Sequence, residues 1–221
     1  MLHIGTTSLV RSSGAGYHGS VAGARGSVVP PLPRACSPAP DRDSRMRRFL
    51  WTERDQVERY IEMGVDVFGL AEDLGAQDRS VLGPRMFRKW IAPAYRRLIE
   101  PLQAAGVQAH SHSDGYVMDI IDQLLEVGMT ICNIQDLVNG VENIRDTLKG
   151  RVCVDLDVDR QSIVPHGTPE EIAELIEHEV RALGSPQGGL MITCGVYPPT
   201  PPQNIDAVLT AMEKYQRYWW D

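Results

Sequence analysis

The sequence predicts an α/β fold, a partial (β/α)8 barrel of the TIM type with about five βα units. Three observations predict it. From about residue 49 onward, short apolar strand patterns alternate with longer helical patterns, which is typical of a parallel sheet covered by helices. Polar, reactive residues follow the predicted strands, as they do at the active-site ends of barrel strands. No glycine-rich phosphate loop follows a strand, so an open doubly wound sheet is the less favoured alternative.

The beginning of the chain differs in composition from the rest. It is rich in Gly, Ser, Ala, Pro and Arg and shows neither a helical nor a strand period. Such a segment buries too little apolar surface to offset the entropy of ordering it. We therefore predict a disordered, low-complexity segment over residues 1–45 and a barrel domain over residues 46–221.

Five strands are predicted in the barrel domain. They are Val65–Leu70, a strand from Gln108 that ends at the turn of Gly115, Met129–Ile134, Arg151–Val158 and Leu190–Thr193. Because a closed barrel needs eight strands, we expect the N-terminal strands to be missing or to come from a partner chain. An open barrel exposes strand edges and apolar surface, which favours association.

Helical patterns separate these strands. They cover Pro84–Ala105, with a bend or break expected at Pro93, then Val117–Val127, Val141–Leu148, Thr168–Gly184 and Pro202–Tyr218. The fourth is the best marked, because Thr168 as N-cap, Pro169 at the first helical position and Glu171 three residues on form a capping box.

Composition excludes several classes of function. The net charge of −7 and the lack of a Lys/Arg run argue against a nucleic-acid surface. No apolar run reaches transmembrane length, and no continuous apolar segment marks a signal peptide. Four widely spaced cysteines fit reduced thiols, so we expect a cytoplasmic protein without a membrane partner.

The segment around the second predicted strand carries the strongest chemical signal. Side chains alternate along a strand, so His110, His112 and Asp114 share one face at the strand's end. Two imidazoles and a carboxylate there can transfer protons or bind a metal. The alternative is a pair of hydrogen-bonded histidines beside a turn aspartate, and for His110, one pleat deeper, this alternative is favoured.

The fourth predicted strand carries a second alternating set. Asp155, Asp157 and Asp159 share one face, and three buried carboxylates without partners would be very costly. At least one of them must therefore reach solvent, pair with a cation or bind a metal. Arg160 and other arginines could face an anionic substrate, although a surface position is the more common one for arginine.

An ordered set of short motifs resembles the uroporphyrinogen decarboxylase superfamily over about residues 49–218. In chain order, the motifs are Glu72-Asp73-Leu74-Gly75, Pro84-x-Met86-Phe87-x-x-Trp90-x-x-Pro93, His112-Ser113-Asp114-Gly115, Val158-Asp159-x-Gln161, His166-Gly167-Thr168-Pro169-Glu170-Glu171, Gly188-Gly189 and Pro202-x-Asn204-Ile205. The resemblance implies a distorted (β/α)8 barrel, of which this chain covers only the carboxyl-terminal part.

The first function that the resemblance implies is that of a uroporphyrinogen decarboxylase-like carboxy-lyase, or a truncated form of one, acting on a tetrapyrrole without a cofactor. Asp114, His112, Asp159 and Asp73 are then the candidate catalytic residues. The family also uses an aspartate from the N-terminal half of the barrel, and residues 1–45 show no counterpart of it.

The superfamily's methyltransferase branch implies a second function, zinc-dependent methyl transfer between a methylated compound or corrinoid protein and a thiol. Its zinc site has a His-x-Cys motif where this chain has His112-Ser113-Asp114, and a distant cysteine that matches Cys194. His112, Asp114 and Cys194 are thus candidate zinc ligands of N, O and S type, with aspartate in place of one cysteine.

The third reading is not enzymatic. The chain would be an inactive fragment, or an interaction partner whose barrel is completed by a second copy or another polypeptide. A metal measurement separates the first two functions, and turnover and oligomeric state separate both from the third.

Overall fold

The computed structural model describes residues 54–216 and 218, and of the first 53 residues only the backbone of Leu9 and Val10. The predicted disorder of residues 1–45 otherwise concerns residues outside this range and stays a prediction. Within this range, no helix is long and apolar enough to cross a bilayer.

The described strands are β1 (Leu9–Val10), β2 (Val67–Ala71), β3 (Gln108–Ser113), β4 (Ile131–Gln135), β5 (Cys153–Asp157) and β6 (Leu190–Thr193). The described helices are α1 (54–62), α2 (Gly83–Met86), α3 (Ala92–Ala104), α4 (Ile121–Glu126), α5 (Asp136–Asn139), α6 (Val141–Leu148), α7 (Ile163–His166), α8 (Pro169–Leu183) and α9 (Pro202–Tyr215). A π-helical segment, Phe87–Ile91, joins α2 to α3.

The six strands form one sheet in the order β1-β2-β3-β4-β5-β6. From β2 to β6 every pair is parallel, and each strand lies beside the next one in the sequence, as in a barrel wall. Only β1 runs antiparallel, pairing Leu9 with Phe68 and Val10 with Val67. The predicted α/β fold with a five-stranded parallel sheet, consistent with a partial TIM-type barrel, is thereby confirmed.

One face of the sheet is covered by helices. Side chains from that face, among them Ala109, Cys132 and Leu156, are fully buried in a core shared with α3, α4 and α6. A second core cluster lies under α8 and α9, where Ile172, Ile176 and Val208 are among the buried members. By the area rule, each large side chain buried here contributes about 1.5–3 kcal/mol, so these two clusters fix the sheet against its helices.

The predicted capping box is present: Thr168 Oγ1 accepts from the Glu171 N–H, and Glu171 accepts from the Thr168 N–H at 2.8 Å. The irregularity expected near Pro93 is the π-helical segment itself, which ends at Ile91, two residues before the proline. A proline cannot donate the helical hydrogen bond to the residue four positions back, which favours such a local change of pitch.

Two predicted helices are shorter than the sequence indicated. α4 begins at Ile121 instead of Val117, because the Val117 N–H donates to Asn139 Oδ1 and the chain makes a turn before the helix starts. α9 ends at Tyr215, and Gln216 and Tyr218 lie in turns. The short helices α5 and α7, of four residues each, were not predicted, because one turn is too short to show a period.

Candidate active site at the carboxyl ends of the strands

The sheet face opposite the helices is polar. The strand register places His112 beside Asn133, and Asn133 beside Asp155. Partners in a parallel register point to the same side of the sheet, so these side chains form one row across three strands. Although polar, Asn133 and Asp155 are 7% and 6% exposed, so each needs partners.

His112 is oriented by Asn133. The Asn133 amide nitrogen donates to the Asp155 carbonyl at 3.0 Å and lies 3.4 Å from Thr193 Oγ1, so its Oδ1 faces His112 as an acceptor. That oxygen lies 2.5 Å from His112 Nδ1, which must therefore carry the proton. In the neutral ring, Nε2 then has the free lone pair, and it lies 3.8 Å from Asp114 Oδ1.

Asp114 lies beyond the end of β3, between His112 and Arg160. The Arg160 guanidinium donates to Asp114 Oδ1 and lies 3.3 Å from Asp157 Oδ2. Its side chain is 18% exposed, and it lies over the ring of Tyr197 at 5.7 Å. Arg160 therefore belongs to the group of side chains at the strand ends, because two carboxylates and an aromatic ring hold it in place.

Asp73 joins this group from the loop after β2. A donor atom from each of Asp73, His112 and Asp114 lies within 4.8 Å of the other two. We call these three residues the mouth cluster. Two carboxylate oxygens and one imidazole nitrogen are donor types that a divalent metal accepts, but the cationic Arg160 already occupies Asp114 Oδ1 and opposes a second cation there.

The loop that carries Asp73 is held against the loop after β3. Leu74 donates to Ser113 Oγ at 2.9 Å, and Tyr116 donates to the Ala76 carbonyl at 2.7 Å. A Cβ added to Gly75 would lie 2.5 Å from the Asp114 carbonyl oxygen. The close approach of the two backbones therefore requires glycine at position 75 and fixes Asp73 relative to Asp114.

Cys194 lies apart from the mouth cluster. Thr193 is the register partner of Asp157 on the polar face, and Cys194 follows it and packs against the core cluster under α8 and α9. Burial raises the pKa of its thiol to about 11, with the neighbouring carboxylates acting in the same direction. Among the described residues, the predicted ligand trio of His112, Asp114 and Cys194 is not brought together, and Asp73 takes the place expected for the cysteine.

The three alternating aspartates of β5 have different partners. Asp155 Oδ2 lies 2.9 Å from His110 Nε2, so His110 has the partner expected of a supporting histidine. Asp157 faces Arg160, and burial raises its pKa although the guanidinium opposes the change. Asp159 caps α7 by accepting from the N–H groups of Ser162 and Ile163, among others. Burial alone would raise its pKa, but these hydrogen bonds together hold it below the usual range.

A second group of carboxyls is buried on the helix side. Asp136 follows β4, Glu179 projects from α8, and they are 1% and 0% exposed. One Asp136 oxygen accepts from the Asp159 N–H at 2.8 Å. Burial raises the pKa of Glu179 to about 10, and the neighbouring Asp136 carboxyl acts in the same direction. The raised pKa favours the neutral form of Glu179 at pH 7; we call Asp136, Asp159 and Glu179 the buried acid cluster.

The mouth cluster opens into a cleft of about 450 Å³. Asp114, Arg160, Tyr197 and three glutamines, Gln77, Gln135 and Gln161, contribute to its lining. It is a polar cleft in which the Asp114 carboxylate, the Arg160 guanidinium and three side-chain amides are available to one small molecule.

Sequence reasoning did not single out Asn133 and Glu179. The alternating face that contains His112 and Asp155 could have pointed to Asn133, since the strand between theirs must supply the residue that joins them. No pattern marks Glu179, because it stands among five other charged residues in α8 and only packing shows that it is buried.

A parallel sheet with helices on one face and reactive side chains at its carboxyl ends is the architecture of the barrel-type α/β enzymes. The sequence matches the family described as uroporphyrinogen decarboxylase (URO-D) over residues 46–215. The chain therefore belongs to the uroporphyrinogen decarboxylase family.

Solved structures agree with the fold. A B12-independent methionine synthase from Shewanella sp. W3-18-1, in complex with selenomethionine, matches with a TM-score of 0.52 at 18% sequence identity. The match covers 80% of this chain and 56% of the synthase, so this chain spans little more than half the length of that protein. At this identity the likeness shows the fold alone.

A second solved structure, described as native KDPGal, matches with a TM-score of 0.38 at 14% sequence identity. The match covers 74% of this chain and 66% of the other protein, and it supports no conclusion. No relative was found among curated protein sequences.

Proposed function

We propose that this chain provides a carboxy-lyase site of the uroporphyrinogen decarboxylase type, which acts on a tetrapyrrole carboxylic acid without a metal or cofactor. The observation that carries the proposal is the orientation of His112. Asn133 holds the proton on Nδ1, so Nε2 faces Asp114 as a proton acceptor, or as a donor when the ring is charged.

The proposed chemistry requires proton handling at one point. When the carboxylate leaves as CO2, the electron pair of the broken C–C bond stays on carbon and must receive one proton. The charged His112 ring supplies it from Nε2 and becomes neutral, while the Asp114 carboxylate stabilises the charged ring and Arg160 keeps that carboxylate in place. Asp73 would accept hydrogen bonds from the substrate's N–H groups. Asp159 remains a candidate, although its oxygens already cap α7.

The test is decarboxylation of uroporphyrinogen by the purified chain, followed by chromatography of the oxidised products. Because general acid–base groups contribute about 10²–10⁴-fold, His112→Gln should lower the rate by at least about 100-fold. His178→Gln is the matched control, since His178 is 56% exposed on α8 and is not a member of the mouth cluster. Equal rates for the two variants would contradict the proposal.

A metal-dependent methyl transfer to a thiol, with a corrinoid protein as partner, is the second candidate function. It is favoured by the three donor atoms of the mouth cluster lying within 4.8 Å of one another. Elemental analysis after expression with zinc separates the two functions. Stoichiometric zinc that is lost in Asp73→Asn and retained in Cys194→Ser would favour metal chemistry at the mouth cluster. Zinc that is lost in Cys194→Ser would instead support the three ligands expected from the sequence, His112, Asp114 and Cys194.

A non-catalytic role as one part of a composite barrel is the third candidate. β6 pairs with β5, and no second partner of β6 is found among the described strands. A folded chain without turnover that forms oligomers in light scattering would favour this role, with a second copy or another polypeptide at the β6 edge. A monodisperse monomer with decarboxylase activity would exclude it.

A further inference from the structure

The cleft into which the mouth cluster opens is lined by several hydrogen-bond donors. Arg160, Tyr197 and three glutamines contribute side chains to a volume of about 450 Å³. That volume lies within the range of about 300–1,000 Å³ that small-molecule sites occupy. Donors that converge on one cleft complement a ligand group that accepts several hydrogen bonds, and a carboxylate is such a group.

Gln135 presents its amide nitrogen to this cleft. The residue ends β4 and is 6% exposed, and its Oε1 accepts from the Gly115 N–H at 2.8 Å. Because the oxygen is engaged by the backbone, the amide NH2 group is the part of the side chain that is left for a ligand. A buried donor at a cleft favours an acceptor there, since a hydrogen bond left unmade at a buried group is costly.

The Arg160 guanidinium also has hydrogens left for a ligand. Among the described residues, Nε lies 3.3 Å from Asp157 Oδ2, Nη2 donates to Asp114 Oδ1, and Nη1 donates to Tyr197 Oη at 3.4 Å. A guanidinium carries five N–H groups, so these three contacts leave one hydrogen on each terminal nitrogen. A carboxylate accepts such hydrogens better than a neutral group does, because hydrogen bonds between opposite charges are roughly twice as strong.

Tyr197 adds a third donor to the cleft. Its oxygen accepts from Arg160, and its own hydroxyl hydrogen is then available to a ligand. Gln135, Arg160 and Tyr197 come from β4, from the loop after β5 and from the loop after β6. Because these three strands are neighbours in the sheet, their carboxyl ends bring the three donors to one place.

The carboxylates that already contact Arg160 do not exclude an anion. Burial raises the pKa of Asp157, and the charges of Asp114 and Asp136 act in the same direction, although Arg160 and His112 oppose the change. Asp157 can therefore take up a proton when a further anion reaches Arg160. The total charge of the group then stays the same.

Asp114 lies between the cleft and the reacting imidazole. Its Oδ1 accepts from Arg160 and lies 3.8 Å from His112 Nε2, and Asp114 also lines the cleft. A carboxylate held by Arg160 is thus separated by Asp114 from the place where His112 would transfer a proton. It must therefore be a different carboxylate from the one that is lost.

We propose that the cleft anchors a carboxylate that the substrate keeps, held by Arg160 and Gln135 while another carboxylate is lost beside His112. This inference rests on the proposed function, because it takes the mouth cluster as the reacting centre. It adds that the substrate carries at least two carboxylates, and it assigns the retained one to named residues.

The test compares propionate with propionamide, which has nearly the same shape without the charge. Each is titrated into the full chain at pH 7 and followed by ligand-observed NMR. Propionate should bind about ten times more tightly than propionamide, because hydrogen bonds to charged groups make the larger net contribution.

Arg160→Gln removes the charge from the cleft, so the two ligands should then bind equally. Arg181→Gln is the matched control, because it removes the same charge from a side chain that is 56% exposed on α8. The preference for propionate should persist in this control. If Arg181→Gln loses the preference as well, net charge and not the cleft attracts the anion, and the proposal is overturned.

Gln135→Glu is the second variant, and it does not depend on Arg160. It keeps an acceptor for the Gly115 N–H and replaces the amide donor with a carboxylate oxygen. Propionate affinity should fall about tenfold, while propionamide affinity should change little. Gln203→Glu, at an exposed position of α9, adds the same charge elsewhere and should leave both affinities unchanged.

Equal affinities of the unchanged chain for propionate and propionamide would overturn the proposal, and so would a preference that survives in both Arg160→Gln and Gln135→Glu. Turnover distinguishes this proposal from the proposed function. A chain that binds propionate as expected but does not decarboxylate uroporphyrinogen keeps the anchor and loses the proposed function. A chain that decarboxylates uroporphyrinogen and binds both ligands equally keeps the proposed function and loses the anchor.

Discussion

The mouth cluster and the buried acid cluster lie at the same end of the same sheet, and both are rich in carboxyls. The mouth cluster combines its carboxylates with an imidazole and the guanidinium of Arg160, and its residues are partly exposed. In the buried acid cluster, Asp136 and Glu179 are almost fully covered, and burial raises the pKa of both carboxyls. Carboxyls at one end of the sheet thus occupy two different environments, one partly exposed beside cationic partners and one buried.

The largest expected effect concerns Glu179. Its pKa in the folded chain, about 10, lies above its value of 4.5 in the unfolded chain, so folding takes up a proton between these pH values. The contribution of Glu179 to stability should be fully present below about pH 4.5 and should fall as pH rises, with a slope on the order of 1.4 kcal/mol per pH unit. Glu179→Gln should abolish this slope, as measured by urea unfolding from pH 6 to 9.

Glu174→Gln is the control for that measurement, because Glu174 lies on the same helix and is exposed. If Glu179→Gln keeps the slope of the unchanged chain, then burial does not hold the proton on Glu179. The contrast between the two clusters would then be wrong.

The next largest effect on stability is expected when the contact between the loops after β2 and β3 is disrupted. Gly75→Ala places a Cβ 2.5 Å from the Asp114 carbonyl oxygen, so the loops must separate. We expect a loss of about 1–3 kcal/mol in the free energy of unfolding as the two loops move apart. Gly195→Ala is the control, since its closest obstacle is the exposed side chain of Tyr197, which can move. Equal losses would show that the loop contact is not specific.

The smallest expected change in stability is that of Asp159→Asn, which weakens the cap of α7. We expect a loss of about 1–2 kcal/mol at pH 7. Because the pKa of Asp159 is lowered in the folded chain, its contribution is present above its usual value and is lost as pH falls through the folded pKa. Asp206→Asn, on an exposed position of α9, should change nothing in the same urea titration. A stable Asp159→Asn variant that has lost turnover would move Asp159 into the catalytic group.

The sequence predicted most regular elements from β2 onward because their signals are local, but it did not predict α1. The five parallel strands were readable as apolar or alternating runs with polar ends, and α8 was readable from its capping box and apolar stripe. The one-turn helices α5 and α7 and the strand β1, of two residues, are too short for a period and were not predicted. The π-helical segment before Pro93 was foreseen only as an irregularity.

Within the candidate site, the sequence by itself determined that His112 and Asp114 share a strand face, because alternation along a strand is a property of the backbone. The tertiary structure decided which residues join them. It brought Asp73 to the mouth cluster and left Cys194 in the core under α8 and α9. It also placed Asn133 on His112, Arg160 on Asp114 and Glu179 beside Asp136. These contacts depend on strand order, register and helix packing between residues far apart in the chain, and no local pattern encodes such distances.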